Sequence, residues 1–144
     1  MSKESLDYLV LGSEKNHPET LHQFYQRFRH HGLKKDSLTP SYGLAETTIA
    51  ATTRYGNPLL FEHFDHHQLQ QGFARPCAPS DPNSIELVCA GTAIDQHQVC
   101  IRDPKTKQLL EAQHVGEIWF CGPSVSPGYW NNTQATEQHF VTLE

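Results

Sequence analysis

The sequence predicts a mixed α/β (α+β) chain in three parts. Residues 1–55 read as an α/β segment, residues 56–84 as a long irregular connection, and residues 85–144 as a small β unit. Three observations predict this. A strand-like run, a glycine turn and an amphipathic helix follow one another near the start. Pro, Gly and Asn interrupt 56–84, with little apolar periodicity between them. Beyond Asn83, short apolar runs alternate with turn residues, the pattern of β structure.

Taken in order, Met1–Ser5 is a short polar start and Leu6–Leu11 is a strand ending in the turn Gly12-Ser13-Glu14. Pro18 opens a helix, where its missing N–H costs nothing. Leu21, Phe24, Tyr25 and Phe28 repeat at helical spacing and form one apolar stripe, and Gly32 supplies the stop. Strand, glycine turn and helix make the unit of an α/β sheet whose ligands gather beyond the strand ends. Ser37–Ser41 is extended, because Pro40 biases Thr39 away from helix. A loop over Tyr42–Thr47 follows, and the β-branched run Thr48–Thr53 reads as a strand. In the last part, Ile85–Ala90, Gln98–Arg102 and Gly116–Cys121 read as strands, with Gly91 and Asp103–Thr106 as breaks. Asn131-Asn132-Thr133 caps a short helix through Gln138.

Composition narrows the function. The formal charge of −5 gives no basic stripe for phosphate backbones, so nucleic acid is not an expected partner. Arg27, Arg29, Lys34 and Lys35, with His30 and His31, suit a solvated helix end. Cys77, Cys89, Cys100 and Cys121 show no C-x-x-C pair, which argues against zinc or redox motifs and for a reducing, cytoplasmic setting. His63, Asp65, His66 and His67 lack the further ligands of a tetrahedral set and read as solvated loop side chains. No signal core or membrane-length apolar run is present. The hydrophobic fraction of 37% rises to about 43% with the nine glycines, which is lean for a self-sufficient core.

Two stretches carry chemistry. Ser41-Tyr42-Gly43-Leu44-Ala45-Glu46-Thr47 joins a ring able to stack on a purine, a glycine that admits close backbone approach, and a carboxylate able to hold a phosphate-bound metal. The second is Gly116-Glu117-Ile118-Trp119 through Gly122-Pro123-Ser124-Val125-Ser126-Pro127-Gly128-Tyr129-Trp130. With Val99–Pro104, these motifs resemble the adenylate-forming superfamily of acyl-CoA synthetases, adenylation domains and luciferases. Y-G-L-A-E-T is similar to its fatty acyl-AMP ligase branch, and the match runs from about Leu6 to the last residue.

The resemblance implies the end of an α/β sheet subdomain followed by part of a small distorted β-barrel subdomain. It implies ATP-dependent activation of a fatty acid to an acyl-adenylate, with transfer to the phosphopantetheine thiol of an acyl carrier protein. On this sequence Tyr42 would stack on adenine and Glu46 would help hold Mg²⁺. Gly12 and Ser13 would lie along the adenine, with Gly43, Leu44, Ala45 and Thr47 completing the ATP/AMP loop. The Gly116–Trp130 stretch would be mainly scaffold, and 56–84 would be the insertion that separates these ligases from CoA synthetases.

The sequence departs from the family pattern at Leu11 and Lys15 beside the adenine turn, and at Thr92-Ala93. The phosphate loop, the ribose-binding aspartate and the lysine-bearing lid of the family are not among these residues. The resemblance therefore implies an internal fragment, without a catalytic residue of its own, whose partner is the remainder of the ligase chain. It also implies marginal stability or self-association through exposed apolar edges. Two alternatives stand beside it: a piece of an acyl-CoA synthetase or peptide-synthetase adenylation domain, and a non-catalytic nucleotide- or partner-binding remnant.

Overall fold

A computed structural model describes residues 6–141, so the polar start Met1–Ser5 lies outside the described residues. β1 (Leu9–Leu11) leads into α1 (Pro18–Phe28), which returns the chain to β2 (Leu38–Tyr42). β1 and β2 run parallel, with Leu9 opposite Leu38 and Leu11 opposite Pro40. Both strands therefore end at the same edge, which places Gly12 and Ser13 beside Ser41 and Tyr42. A single turn of 3₁₀ helix, Arg29–His31, extends α1 before Gly32 stops it in the left-handed conformation at φ 94°.

β3 (Thr52–Thr53) pairs antiparallel with β2, and β6 (Thr92–Ala93) pairs antiparallel with β3. The result is an open four-stranded sheet, β1-β2-β3-β6, that draws on both the first and the last part of the chain. The strand expected over Thr48–Thr53 is shorter than its composition suggested. Thr48 and Ile49 take positive φ values of 54° and 91°, because the chain must turn back under the Tyr42–Thr47 loop before pairing can begin.

The connection expected over 56–84 holds regular structure. β4 (Phe61–Asp65) pairs antiparallel with β5 (Ser84–Val88), Phe61 opposite Val88 and Asp65 opposite Ser84. α2 (His66–Gln70) follows β4 and is capped by Asp65, whose Oδ1 accepts the Gln68 N–H at 2.9 Å. Residues 75–77 run along the other edge of β4, through Asp65 N–H to Arg75 O at 3.0 Å and Cys77 N–H to His63 O at 3.0 Å. Of the histidine cluster, His63 serves this packing, while His66 and His67 stay exposed on α2. His63 lies 3.0 Å from Ser84 Oγ and 3.7 Å from Glu86, and His22 on α1 pairs with Glu86 at 3.0 Å.

β7 (Gln98–Arg102) and β8 (Glu117–Cys121) form a separate antiparallel hairpin, and α3 (Thr133–His139) follows. The sheets are open: among the described residues none closes into a barrel. The core is small. Leu21, Leu38 and Leu59 are its buried centre, with Leu9, Leu11, Phe24, Tyr25, Leu33, Phe61 and Val88 packed around them. Of the helical stripe, Leu21 is buried while Phe28 stays exposed against Phe24, at 4.7 Å between ring centroids.

Candidate functional site

The Tyr42–Thr47 loop starts where β2 runs out. The Tyr42 carbonyl accepts the Ala51 N–H at 2.9 Å, and the Leu44 carbonyl accepts the N–H groups of Thr47 and Ile49 at 3.1 Å each. These bonds fold Ala45–Thr47 into one 3₁₀ turn. Thr47 is buried, and its hydroxyl donates to the Leu44 carbonyl at 3.0 Å, closing the turn from inside. Leu44 and Glu46 are half-buried and Ala45 is exposed. Gly43 is also required by the fold itself. The groups that crowd it are the chain's own Ile49–Ala50 backbone: a β-carbon there would fall 1.8 Å from the Ile49 carbonyl oxygen.

The Tyr42 ring is 42% exposed and stacks on Phe120 of β8, with centroids 5.8 Å apart and planes at 25°. Its neighbour Trp119 points to the opposite face of the hairpin, as the pleat requires. There the Trp119 ring lies under Arg102 and Lys107, and its N–H donates to Glu117 at 2.9 Å. Gly12 and Ser13 are exposed at the end of β1. The Ser41 carbonyl oxygen stands 3.3 Å from where a Gly12 β-carbon would lie, and Ser13 takes φ 69°.

The second motif folds directly onto the first. Four hydrogen bonds join segments about 80 residues apart: Ser124 Oγ to Thr47 O (2.9 Å), Thr48 Oγ1 to Ser124 O (2.9 Å), Ser126 N–H to Glu46 O (2.8 Å), and the Tyr129 hydroxyl to Glu46 Oε1. His97 braces Ser124 from behind. Its Nδ1 faces the Asp95 carbonyl at 2.8 Å, and its Nε2 lies 2.7 Å from Ser124 Oγ and 3.3 Å from the Ser124 amide nitrogen.

These contacts set the electrostatics of Glu46. The hydrogen bond from Tyr129, followed by one from its own backbone N–H, holds the Glu46 carboxyl below its ordinary value. The same bond pushes the Tyr129 phenol up. Glu46 is thus kept as an anion. Its donor chemistry fits Mg²⁺, which takes one or two protein carboxylates and completes its shell with substrate phosphates and water. Among the described residues no group of three or more His, Cys, Asp or Glu side chains gathers to hold a metal.

Sequence reasoning singled out both motifs, but treated the second as scaffold beside the first. It missed Tyr129, Ser124 and Ser126 as direct partners of the loop, and His97 as the side chain behind Ser124. No local signal reveals such pairings, since they arise only when β7 and β8 close. An open cleft of about 280 Å³, lined by Gln68, Phe73, Arg75, Ala112, Gln113 and His114, lies elsewhere, where residues 72–74 meet 113–115.

The AMP-binding enzyme family matches residues 2–130. A long-chain-fatty-acid–AMP ligase of Mycobacterium tuberculosis is 37% identical over 139 residues, which is 92% of this chain and 22% of the relative. A 4-hydroxyphenylalkanoate adenylyltransferase of Mycobacterium marinum is 38% identical over 130 residues, 90% of this chain and 21% of its own. The chain therefore spans about a fifth of the length of these curated relatives. Among solved structures, a fatty acid AMP ligase from Legionella pneumophila superposes with a TM-score of 0.82 at 34% identity, over 94% of this chain and 24% of that one. The adenylation domain of a keto acid-selecting peptide-synthetase module superposes with a TM-score of 0.84 at 23% identity, over 94% and 26%, which speaks to the fold alone. With the whole Tyr42–Thr47 loop and its clamp inside the matched range, the chain belongs to the AMP-binding enzyme family.

Proposed function

We propose that this chain carries the adenine and metal side of a fatty acyl-AMP ligase, which joins a fatty acid to ATP as an acyl-adenylate. In that reaction a carboxylate oxygen of the acid attacks the α-phosphorus. The new O–P bond forms as the bond to the bridging oxygen breaks, and pyrophosphate leaves with the electron pair. Such a step needs in-line positioning and neutralised phosphate charge, with no protein nucleophile.

One observation carries the reading: the Tyr42 ring and the ionised Glu46 carboxylate sit on a single clamped loop at the carboxyl ends of parallel β1 and β2. That edge is where open α/β sheets take their ligands. Phe120 backs the Tyr42 ring, whose exposed remainder offers adenine a flat surface. Gly12 and Ser13, at the adjacent strand end, border the same place, while Gly43, Leu44, Ala45 and Thr47 shape the loop. Glu46 would hold Mg²⁺ together with the nucleotide phosphates, and the ion when bound neutralises their charge. The fatty-acid–AMP ligase names of the relatives, and the Legionella pneumophila ligase solved with acyl adenylate and pyrophosphate, support the fatty acyl branch. In the same reading the acyl group passes to the phosphopantetheine thiol of an acyl carrier protein. The remainder of the ligase chain completes the pocket in the cytoplasm, and 56–84 is the family's insertion, anchored on residues 113–115.

Calorimetric titration with a non-hydrolysable fatty acyl-adenylate analogue tests this reading. Base stacking on an aromatic side chain contributes about 1–3 kcal/mol, so Tyr42→Ala should weaken binding by roughly 5- to 150-fold. Equal affinity of the variant and the parent chain would refute the assignment of Tyr42.

A further inference from the structure

We propose that Tyr129 is a positioning residue for the metal-holding carboxylate, a role that rests on the reading of Glu46 given above. An ionised carboxylate presents two oxygens, each with two acceptor positions. The Tyr129 hydroxyl donates to Oε1 and leaves acceptor positions on the carboxylate for a cation, while the Ser126 N–H fixes the Glu46 main chain at 2.8 Å. A glutamate left free would lose side-chain entropy on each binding event, and one already oriented has lost it beforehand.

Tyr129 is itself held. Its N–H donates to Thr136 Oγ1 at 2.9 Å, and its ring meets the edges of His139 (6.1 Å, 85°) and Phe140 (5.3 Å, 79°). Thr136 sits on α3, whose first turn is fixed by Asn132: its Oδ1 accepts the Ala135 N–H at 3.1 Å, and its carbonyl accepts the Thr136 hydroxyl at 2.9 Å. Gly128 lets the two segments approach, at φ 144°, where a β-carbon would fall 2.4 Å from Thr136 Cγ2. A chain of contacts thus runs from α3 through Thr136 and Tyr129 to Glu46. This is the arrangement by which outer residues orient metal ligands. It gives α3 and the Gly128-Tyr129 pair a part in the site beyond that of scaffold.

The test titrates Mg²⁺ into the full chain saturated with a non-hydrolysable ATP analogue, and follows the heat. Loss of such an outer partner typically costs 10- to 100-fold in metal affinity, so Tyr129→Phe should raise the Mg²⁺ concentration at half-saturation about 10-fold. That shift should exceed any change in metal-free affinity for the acyl-adenylate analogue, because a merely structural loss would weaken both. Glu46→Gln should abolish the metal dependence. Half-saturation unchanged by Tyr129→Phe, with Glu46→Gln still deleterious, would overturn the positioning role and leave the magnesium reading standing. No metal dependence in the parent chain would overturn both. A second measurement needs neither metal nor nucleotide. In a thermal-unfolding cycle of Tyr129→Phe and Glu46→Ala the losses in melting temperature should be non-additive, and strict additivity would overturn the coupling.

Discussion

Gly43 shows how one residue decides the shape of the site. A β-carbon at this position meets the Ile49 carbonyl oxygen at 1.8 Å, the Ile49 carbonyl carbon at 2.6 Å and the Ala50 Cα at 2.8 Å. All three are main-chain atoms, so no side chain can rotate away to make room. Overpacking of this kind costs about 1–3 kcal/mol. Gly43→Ala should therefore lower the unfolding free energy by about that amount in a denaturant titration, and a neutral substitution would show that the loop relaxes without strain. Glu46 is the other decisive residue. In the proposed function it would act through an oriented charge, since its carboxylate is the one anionic side chain on the loop.

At the scale of elements, the clamp between Leu44–Thr48 and Gly122–Trp130 matters more than either stretch alone. Much of the local structure was legible in the sequence. Pro18, the Leu21–Phe24–Tyr25 stripe and Gly32 bracket α1, and Asn132 caps α3, because these signals act within one turn of chain. The strands over Gln98–Arg102 and Glu117–Cys121 were likewise readable from their alternation. β4 was not. Phe61-Glu62-His63-Phe64-Asp65 carries two charges and a histidine, and its strand state comes from pairing with Ser84–Val88 and with residues 75–77 on its other edge. Tertiary pairing there overrides weak propensity. The same limit hid the partners of Glu46: Ser126 and Tyr129 lie about 80 residues downstream, and nothing in the spacing announces the contact. Tyr42 and Glu46 were legible as candidates because ring, glycine and carboxylate fall within five residues.

On the scale of the whole molecule, the chain buries little and exposes much. Leu21, Leu38, Pro40, Ala51 and Leu59 are its buried apolar residues among those described, while Trp130 is 98% exposed and Ile49 84%. Val10, Tyr55, Leu109 and Val115 are exposed as well. The outer edges of β5 and β8, in their two-stranded sheets, are able to pair with another chain. The isolated chain should therefore self-associate as concentration rises, read as a concentration-dependent mass in light scattering behind size exclusion. A monodisperse monomer that melts cooperatively would contradict this. No helix among the described residues is long and apolar enough to cross a membrane.

In the proposed function, an adenylate sits at the strand-end edge bearing Gly12, Ser13, Tyr42 and Glu46. The most direct measurement is a crystal structure of the chain with a non-hydrolysable fatty acyl-adenylate analogue. Adenine is expected against Tyr42 beside Gly12 and Ser13, with the phosphate turned toward Glu46. An adenylate lodged elsewhere, as in the cleft between Arg75 and His114, would contradict it.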